Sequence, residues 1–341
     1  MKLARDTVSF VASVAQEASF GASLPLVSLS LVLAALGGCA PHTHAHPAEV
    51  AVPEEPVDVI VDETPRIAAD VVEKAARPFS GLRILDDKAF SQETILTLLA
   101  DADAICVGEL HGSALHHYAE LMVLRGLLER RKVRGYELLV GFEMVRTEYQ
   151  PNLDYYSQNP SVFDDLAPKV HWEEEWGFPR PYYAPLFEEI GVEKARMVAL
   201  GVARPISRSV ARNGYESLPA PQKATLPELD LNVPVHREIF DASMDAHPGV
   251  GNPDFYYQVQ VIWDEMMAER SVTYLADKTP ARKLVILAGQ NHCHQSGIPS
   301  RMLRRAPLLN VVSLRVRDTA ETSTSEIEQR LRKGYDFELV F

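Results

Sequence analysis

The chain has 341 residues, 46% of them hydrophobic and 24% charged, with a formal net charge of −13. These proportions describe a globular protein able to bury a sizeable core in one large domain or two modest ones, and they exclude a disordered or fibrous chain. The acid excess, with no basic stripe, argues against nucleic acid as a partner, because phosphate recognition needs concentrated Lys and Arg; it reads as a solubility feature.

The first residues read as an address label. Lys2 and Arg5 supply positive charge, and an apolar run from Leu24 ends in Leu36-Gly37-Gly38-Cys39. Leucine, two small residues and cysteine form the bacterial lipobox pattern, so residues 1–39 are expected to be a lipoprotein signal peptide with lipid on Cys39. The run is short for a membrane span, although a plain secretory peptide or a membrane anchor remain alternatives, and Asp6 and Glu17 make the leading region unusual. The expected location is the bacterial cell envelope, with the chain lipid-anchored to a membrane and Ala40 after the cysteine favouring the outer one. Residues 40–80 form a Pro/Ala-rich linker. Its His42, His44 and His46 could hold metal weakly, but a plain tether is the simpler reading.

The folded part is expected over residues 81–341. ETILTLLADA has helical periodicity and leads into AICVGE, a strand. A helix follows from about Ser113 to Lys132, then the apolar runs YELLVGFEM, RMVALGVA, KLVILAGQ and LNVVSLRV, with YDFELVF to close the sheet. Continuous apolar runs separated by helices predict an α/β fold, a mostly parallel central sheet flanked by helices on both faces. A smaller helical insertion subdomain is expected at about 206–277, with helical patterns near His236–His247 and Asp254–Tyr274.

In such sheets ligands gather beyond the carboxyl ends of the strands. Glu109 and His111 follow one strand, Glu143 another, and His292 a third, each beside a glycine (Gly108, Gly141, Gly289) that permits close backbone approach. A lone Gly-x-x-His means little, and a glutamate after a strand is commonly a helix N-terminal charge. Two Gly-x-x-His copies and a Gly-Phe-Glu at one topological position are expected to converge, as a divalent-metal or acid–base site. Asp264 on an insertion helix could join His111, Glu143 and His292 as a metal ligand, or be a solvated acid. His116 with Glu120 is an i, i+4 pair, and His294 a secondary candidate.

The segment from His171 to Phe187 is rich in aromatics: Trp172, Trp176, Phe178, Tyr182, Tyr183 and Phe187. It could stack on a flat ligand, with His171 or a tyrosine reaching that ligand's metal; it could equally be a lid, core or a dimer surface. Cys106 and Cys293, each beside a histidine motif, are expected as two buried thiols rather than as a pair.

VGELHGSALHH, GFEM, YYAPLFE, the set Gln260, Asp264, Met267 and Ala268, and GQNHCHQSGIPSRM together resemble the ChaN-like family of haem-binding lipoproteins. That family lies in a superfamily with Tiki proteases, TraB proteins and erythromycin esterases, marked by two Gly-x-x-His motifs and an intervening glutamate. Gly108–His111, Gly289–His292 and Glu143 match that marker. The resemblance, from Gly81 to Phe341, implies an α/β domain with a helical part, a role in iron uptake, and haem held where two copies can meet, hence a possible homodimer. Haem would touch His171, Trp176, Tyr182 and Tyr183, non-covalently, since no Cys-x-x-Cys-His motif exists. Family members often carry Asn-x-Pro after the third strand, where this chain reads Ala203-Arg204-Pro205. The alternative is a metal-dependent hydrolase using Mn, Zn or Co, with Glu109, His111, Glu143 and His292 catalytic, or an esterase-like site using His111 without metal.

Overall fold

The computed structural model describes residues 78–244, 251–277, 279–319 and 326–341. The expected signal peptide with Cys39, the expected linker up to residue 77 with its three histidines, and His247 lie outside the described residues. Eight strands form a single sheet in the order β2-β1-β8-β7-β3-β6-β4-β5. They are β1 Ser80–Arg83, β2 Lys88–Ser91, β3 Ala104–Glu109, β4 Glu137–Arg146, β5 Arg196–Gly201, β6 Arg282–Gly289, β7 Val311–Arg317 and β8 Phe337–Val340. The six from β3 to β8 run parallel, and the β1–β2 hairpin adds to β8 antiparallel. The fold is therefore the expected α/β arrangement, and each apolar run read from the sequence became a strand. The hairpin was not expected: its strands, SGLR and KAFS, are too short and too polar to announce themselves.

β3 is buried along its whole length and lies between β6 and β7. Its Ile105 and Val107 belong to one core, Ala104 and Cys106 to the other. On β4, Leu138, Val140, Phe142 and Met144 belong to the first core and Leu139 to the second. Side chains alternate between faces along a strand, so continuing each pleat sends Glu109 to the first face and Glu143 to the second. Burying a Leu, Ile, Val or Phe contributes about 1.5–3 kcal/mol, so the hydrophobic alternation holds this parity firmly.

The first face is covered by the helices Ala114–Arg134, Gln150–Gln158 and Arg180–Val192. Ala114–Arg134 ends at Gly135, whose φ of 74° is the left-handed geometry of a helix stop, after Arg131, Lys132 and Arg134 have complemented the helix dipole. The second face is covered by Arg204–Asn213, Pro234–Met244 and Pro253–Leu275, all lying between β5 and β6, and by Ile298–Arg305. The helices of the insertion thus pack on the sheet itself and form one of its two layers.

The cysteines correct an expectation. Cys106 and Cys293 are joined in a disulfide with a Cα–Cα distance of 5.2 Å, not held as separate thiols. β6 runs beside β3, and the short helix Gln290–Cys293 folds back over β3 as soon as β6 ends. That turn lies so close that a Cβ on Gly108 would sit 2.9 Å from the Gln290 Cα. The side chain of Cys293 therefore comes down on the face where Cys106 points.

Candidate functional site

The carboxyl edge carries two buried networks, one on each face of the sheet, and they meet at a glycine. On the first face, Glu109 Oε1 accepts from the Tyr183 hydroxyl at 2.8 Å and lies 2.6 Å from His111 Nδ1. The next helix turn adds His117, whose Nε2 lies 3.0 Å from the His111 carbonyl oxygen. Its Nδ1 is 3.0 Å from Glu120 Oε2 and 3.5 Å from Glu109 Oε2. Burial alone pushes the Glu109 carboxyl up, but the charges of His117 and His111 and the hydrogen bonds from His111 and Glu120 outweigh it and hold it well below the usual range. Glu120 moves the other way: burial and the neighbouring Glu109 charge raise it well above an ordinary carboxylate, so it keeps a proton. Tyr183 is held as a neutral donor by burial and by the two glutamates. Trp176 and Phe178 roof this network, with ring centroids 4.7 and 5.1 Å from that of His111.

On the second face, Asp264 is wholly buried and reaches His292 Nδ1 at 2.6 Å with Oδ1 and His236 Nε2 at 2.8 Å with Oδ2. The other His292 nitrogen, Nε2, lies 3.4 Å from Glu143 Oε1. Burial would neutralise the imidazole, yet Glu143 and Asp264 overcome it and push His292 up to about 10, so its ring is a cation at neutral pH. Asp264 is driven well below the usual carboxylate range: burial works against this, but His292 and His236 prevail. Arg301 closes the network, 3.3 Å from His236 Nδ1 and 3.2 Å from Glu265 Oε1.

Gly289 joins the two. Its N–H donates to Glu143 Oε2 at 2.6 Å, and a Cβ there would stand 3.0 Å from His111 Cε1, 3.1 Å from His111 Nε2 and 3.7 Å from Glu143 Oε2. Only a residue without a side chain lets the His111 ring and the Glu143 carboxylate approach the same backbone atom. The structure thus brings Glu109, His111, Glu143 and His292 together at one edge, as two acid–histidine pairs that both approach Gly289. Asp264 joins them as the partner of His292.

The remaining candidates scatter. Tyr183 has its hydroxyl on Glu109 and is fully buried, so in this conformation it offers nothing to a bound metal outside. Trp176 is buried against His111, and Tyr182, half-buried, stacks on His117 with centroids 5.7 Å apart. His171 is exposed, with φ 53°, and stacks on Tyr149 away from both networks. His294 bonds to Ser296 and packs on Gly334 and Tyr335 rather than on Glu143. His116 accepts from the Leu110 N–H, so the partner of Glu120 is His117, one residue further along the helix than the pair read from the sequence.

A family model described as haem-binding uptake, Tiki superfamily, ChaN matches residues 95–302. The chain belongs to that family. Among solved structures it is similar to ChaN of Campylobacter jejuni, described as binding heme cofacially, at 19% identity and a TM-score of 0.63, covering 77% of this chain and 96% of that one. Looser likenesses are an erythromycin esterase mutant in its open conformation (13% identity, TM-score 0.41, 77% and 83% of the chains) and the toxin effector domain RRSP from Vibrio vulnificus (16%, 0.39, 73% and 39%). No curated protein matches the sequence. The Campylobacter likeness establishes a shared fold for this ChaN-like chain.

Three residues of this ChaN-like site escaped the sequence reading. His117 was hidden by its neighbour His116, since either helical phase pairs a histidine with Glu120. His236 comes from a separate helix that no motif links to His292, and Arg301, although it stands in the same GQNHCHQSGIPSRM stretch as His292, carries no local sign of which acid it meets. The one available signal was Glu109, whose strand parity selects the helix covering its own face.

Proposed function

We propose that the protein is a haem-binding lipoprotein of the bacterial envelope, serving haem or iron uptake. Membership of a haem-binding uptake family carries this reading. The residues fit a non-covalently held haem in part: of the four expected contacts, only His171 and Tyr182 keep solvent exposure, while Tyr183 and Trp176 are committed to the interior. His171 and Tyr182 are therefore the residues that would hold the iron of a haem, and the aromatic segment around them the surface for its ring. Bound haem would supply a Lewis-acidic iron whose absorption reports its ligand. The Leu-Gly-Gly-Cys sequence supports lipid on Cys39 and anchoring at the outer membrane. A second copy of the chain completes the site in this reading.

Hemin titration tests it: a Soret band should grow to saturation, and His171→Ala or Tyr182→Phe should shift or abolish it. Tyr183→Phe should leave its position unchanged. Mass measurement with and without hemin checks the pairing of copies. A chain that gives no saturable Soret band is not a haem carrier.

The two acid–histidine pairs at Gly289 favour a second reading, a hydrolase. His292, held cationic, would act as an acid or as a partner for a developing oxyanion, leaving His111, oriented by Glu109, as the base. A cation held by His111, Glu143 and His292 would first need the His292 ring to release one of its two protons and the contact at that nitrogen; bound through Nε2, it would keep Asp264 as the partner of Nδ1–H rather than as a ligand. Ester or peptide turnover lost in both His111→Ala and His292→Ala, and surviving a chelator, would support it; absence of turnover with either class of substrate would end it.

A further inference from the structure

We infer that Glu109, His117 and Glu120 form a binding site for one divalent first-row transition-metal ion. This site is separate from the Glu143–His292 pair and is not needed for the haem reading. One ligand atom from each residue, a carboxylate oxygen or an imidazole nitrogen, lies within 4.8 Å of the others, and all three residues are buried. Among the described residues no other group of three His, Cys, Asp or Glu meets that separation.

Each ligand is already oriented by a partner outside the group. The His117 Nε2 faces the His111 carbonyl oxygen, which can only accept, so the ring proton sits on Nε2. A neutral His117 then turns the Nδ1 lone pair toward Glu120 and Glu109, the tautomer a metal requires and the arrangement that metal-binding histidines use. Glu109 spends Oε1 on Tyr183 and His111. Its Oε2, and Oε1 of Glu120, are buried and receive no donor from any other described residue; what joins them is the proton that Glu120 keeps and shares with Glu109, and that proton holds the place the ion would take. Buried acceptors of this kind are costly to leave unmatched. The ion-pair partners of Glu109 and Glu120 among the described residues are histidines alone, with no Lys or Arg. Binding displaces the Glu120 proton to solvent; two carboxylates and one neutral imidazole then balance a dication, and mixed O and N donors suit Zn, Mn, Fe or Co better than Mg or Ca. Because Glu109 also holds His111, the ion would reach the edge pair through a single carboxylate.

The test uses the mature chain, stripped with a chelator and dialysed against Co2+ or Zn2+, with bound metal counted by mass spectrometry and the Co2+ ligand field read by absorption. One ion per chain is expected. Glu120→Gln and His117→Ala should weaken binding by about 100-fold or more, and Tyr183→Phe, which removes only an outer partner, by about 10-fold. His292→Gln should bind as the unaltered chain does. No uptake, uptake unchanged by both Glu120→Gln and His117→Ala, or uptake abolished by His292→Gln would each overturn the assignment. Should a variant fail to fold, X-ray absorption on the loaded unaltered chain decides: one imidazole among oxygen donors is expected, and two or more imidazoles refute the site. Hemin binding is scored separately, so loss of one property leaves the other legible.

Discussion

The two faces of the sheet solve the burial of charge in opposite ways. On the Asp264 face, three acids (Glu143, Asp264 and Glu265) are met by cations: His292, Arg301, Arg304 and Arg305 lie within ion-pair distance of one or another. On the Glu109 face, Glu109 and Glu120 meet, among the described residues, histidines, a tyrosine and each other, with no Lys or Arg. The first arrangement is self-sufficient, because guanidinium groups satisfy buried carboxylates without recruiting anything from solution. The second is left to a proton or an added cation. A few side chains apart, the same edge holds a finished network and an unfinished one.

The largest expected effect tests the finished side. Asp264→Ala strands His292, His236 and Arg301 in the interior and should cost about 3–5 kcal/mol in urea unfolding, as breaking buried ion pairs does. Glu120→Gln in metal-free protein should cost far less or stabilise, because it replaces a protonated acid with an amide. Equal losses would erase the contrast between the faces.

Next comes the covalent link. Cys106→Ser with Cys293→Ser should lower stability by about 2–5 kcal/mol, as removing a cross-link over a long loop does; comparing unfolding with and without reductant checks it. The loss should be felt first at His292, whose turn the disulfide fastens to β3.

The pH profile sharpens the comparison further. His292 has its folded value raised to about 10, so its contribution is whole below the unfolded value near 6.5 and drains away as pH climbs through about 10. His116 and His294 behave oppositely: burial lowers them to about 3 and about 4, so the unfolded chain takes up their protons first. Below pH about 6.5 each should withdraw about 1.4 kcal/mol per pH unit until its folded value is reached. His294→Gln should flatten that acid slope in a denaturation series across pH.

The smallest effect is expected at the junction. Gly289→Ala adds one methyl where His111 stands 3.0 Å away, and should cost about 1–3 kcal/mol while moving the His111 ring resonances. Resonances that stay in place would show the networks are not in contact.

Much of this was legible in the sequence, and the boundary of legibility is physical. β3, β4 and β6 were visible because buried parallel strands are written as unbroken apolar runs. Their endings placed Glu109, His111, Glu143 and His292 at one edge because parallel strands share an end. The split into two faces was not seen, although strand parity carries it: Glu109 and Glu143 stand on opposite sides of their pleats. The Cys106–Cys293 link depended on knowing that β6 lies beside β3 and that its following turn doubles back, which no local pattern records. His236 was invisible for the same reason, being brought in by tertiary packing alone; Arg301 stood in view in the GQNHCHQSGIPSRM stretch, but only packing pairs it with Glu265 and His236.

Trp176 and Phe178 stand over His111 in the connection between β4 and β5, where His171 and Gly177 both have left-handed backbone. Trp176 is tied to the network beneath, because its indole hydrogen-bonds Tyr183, which in turn donates to Glu109. Phe178 meets the site by ring contacts with His111 and Trp176. Its position is thus the replaceable part of the roof: evolution, or a designer, could alter which molecules are admitted by rewriting it while the proton-handling machinery beneath stayed as it is.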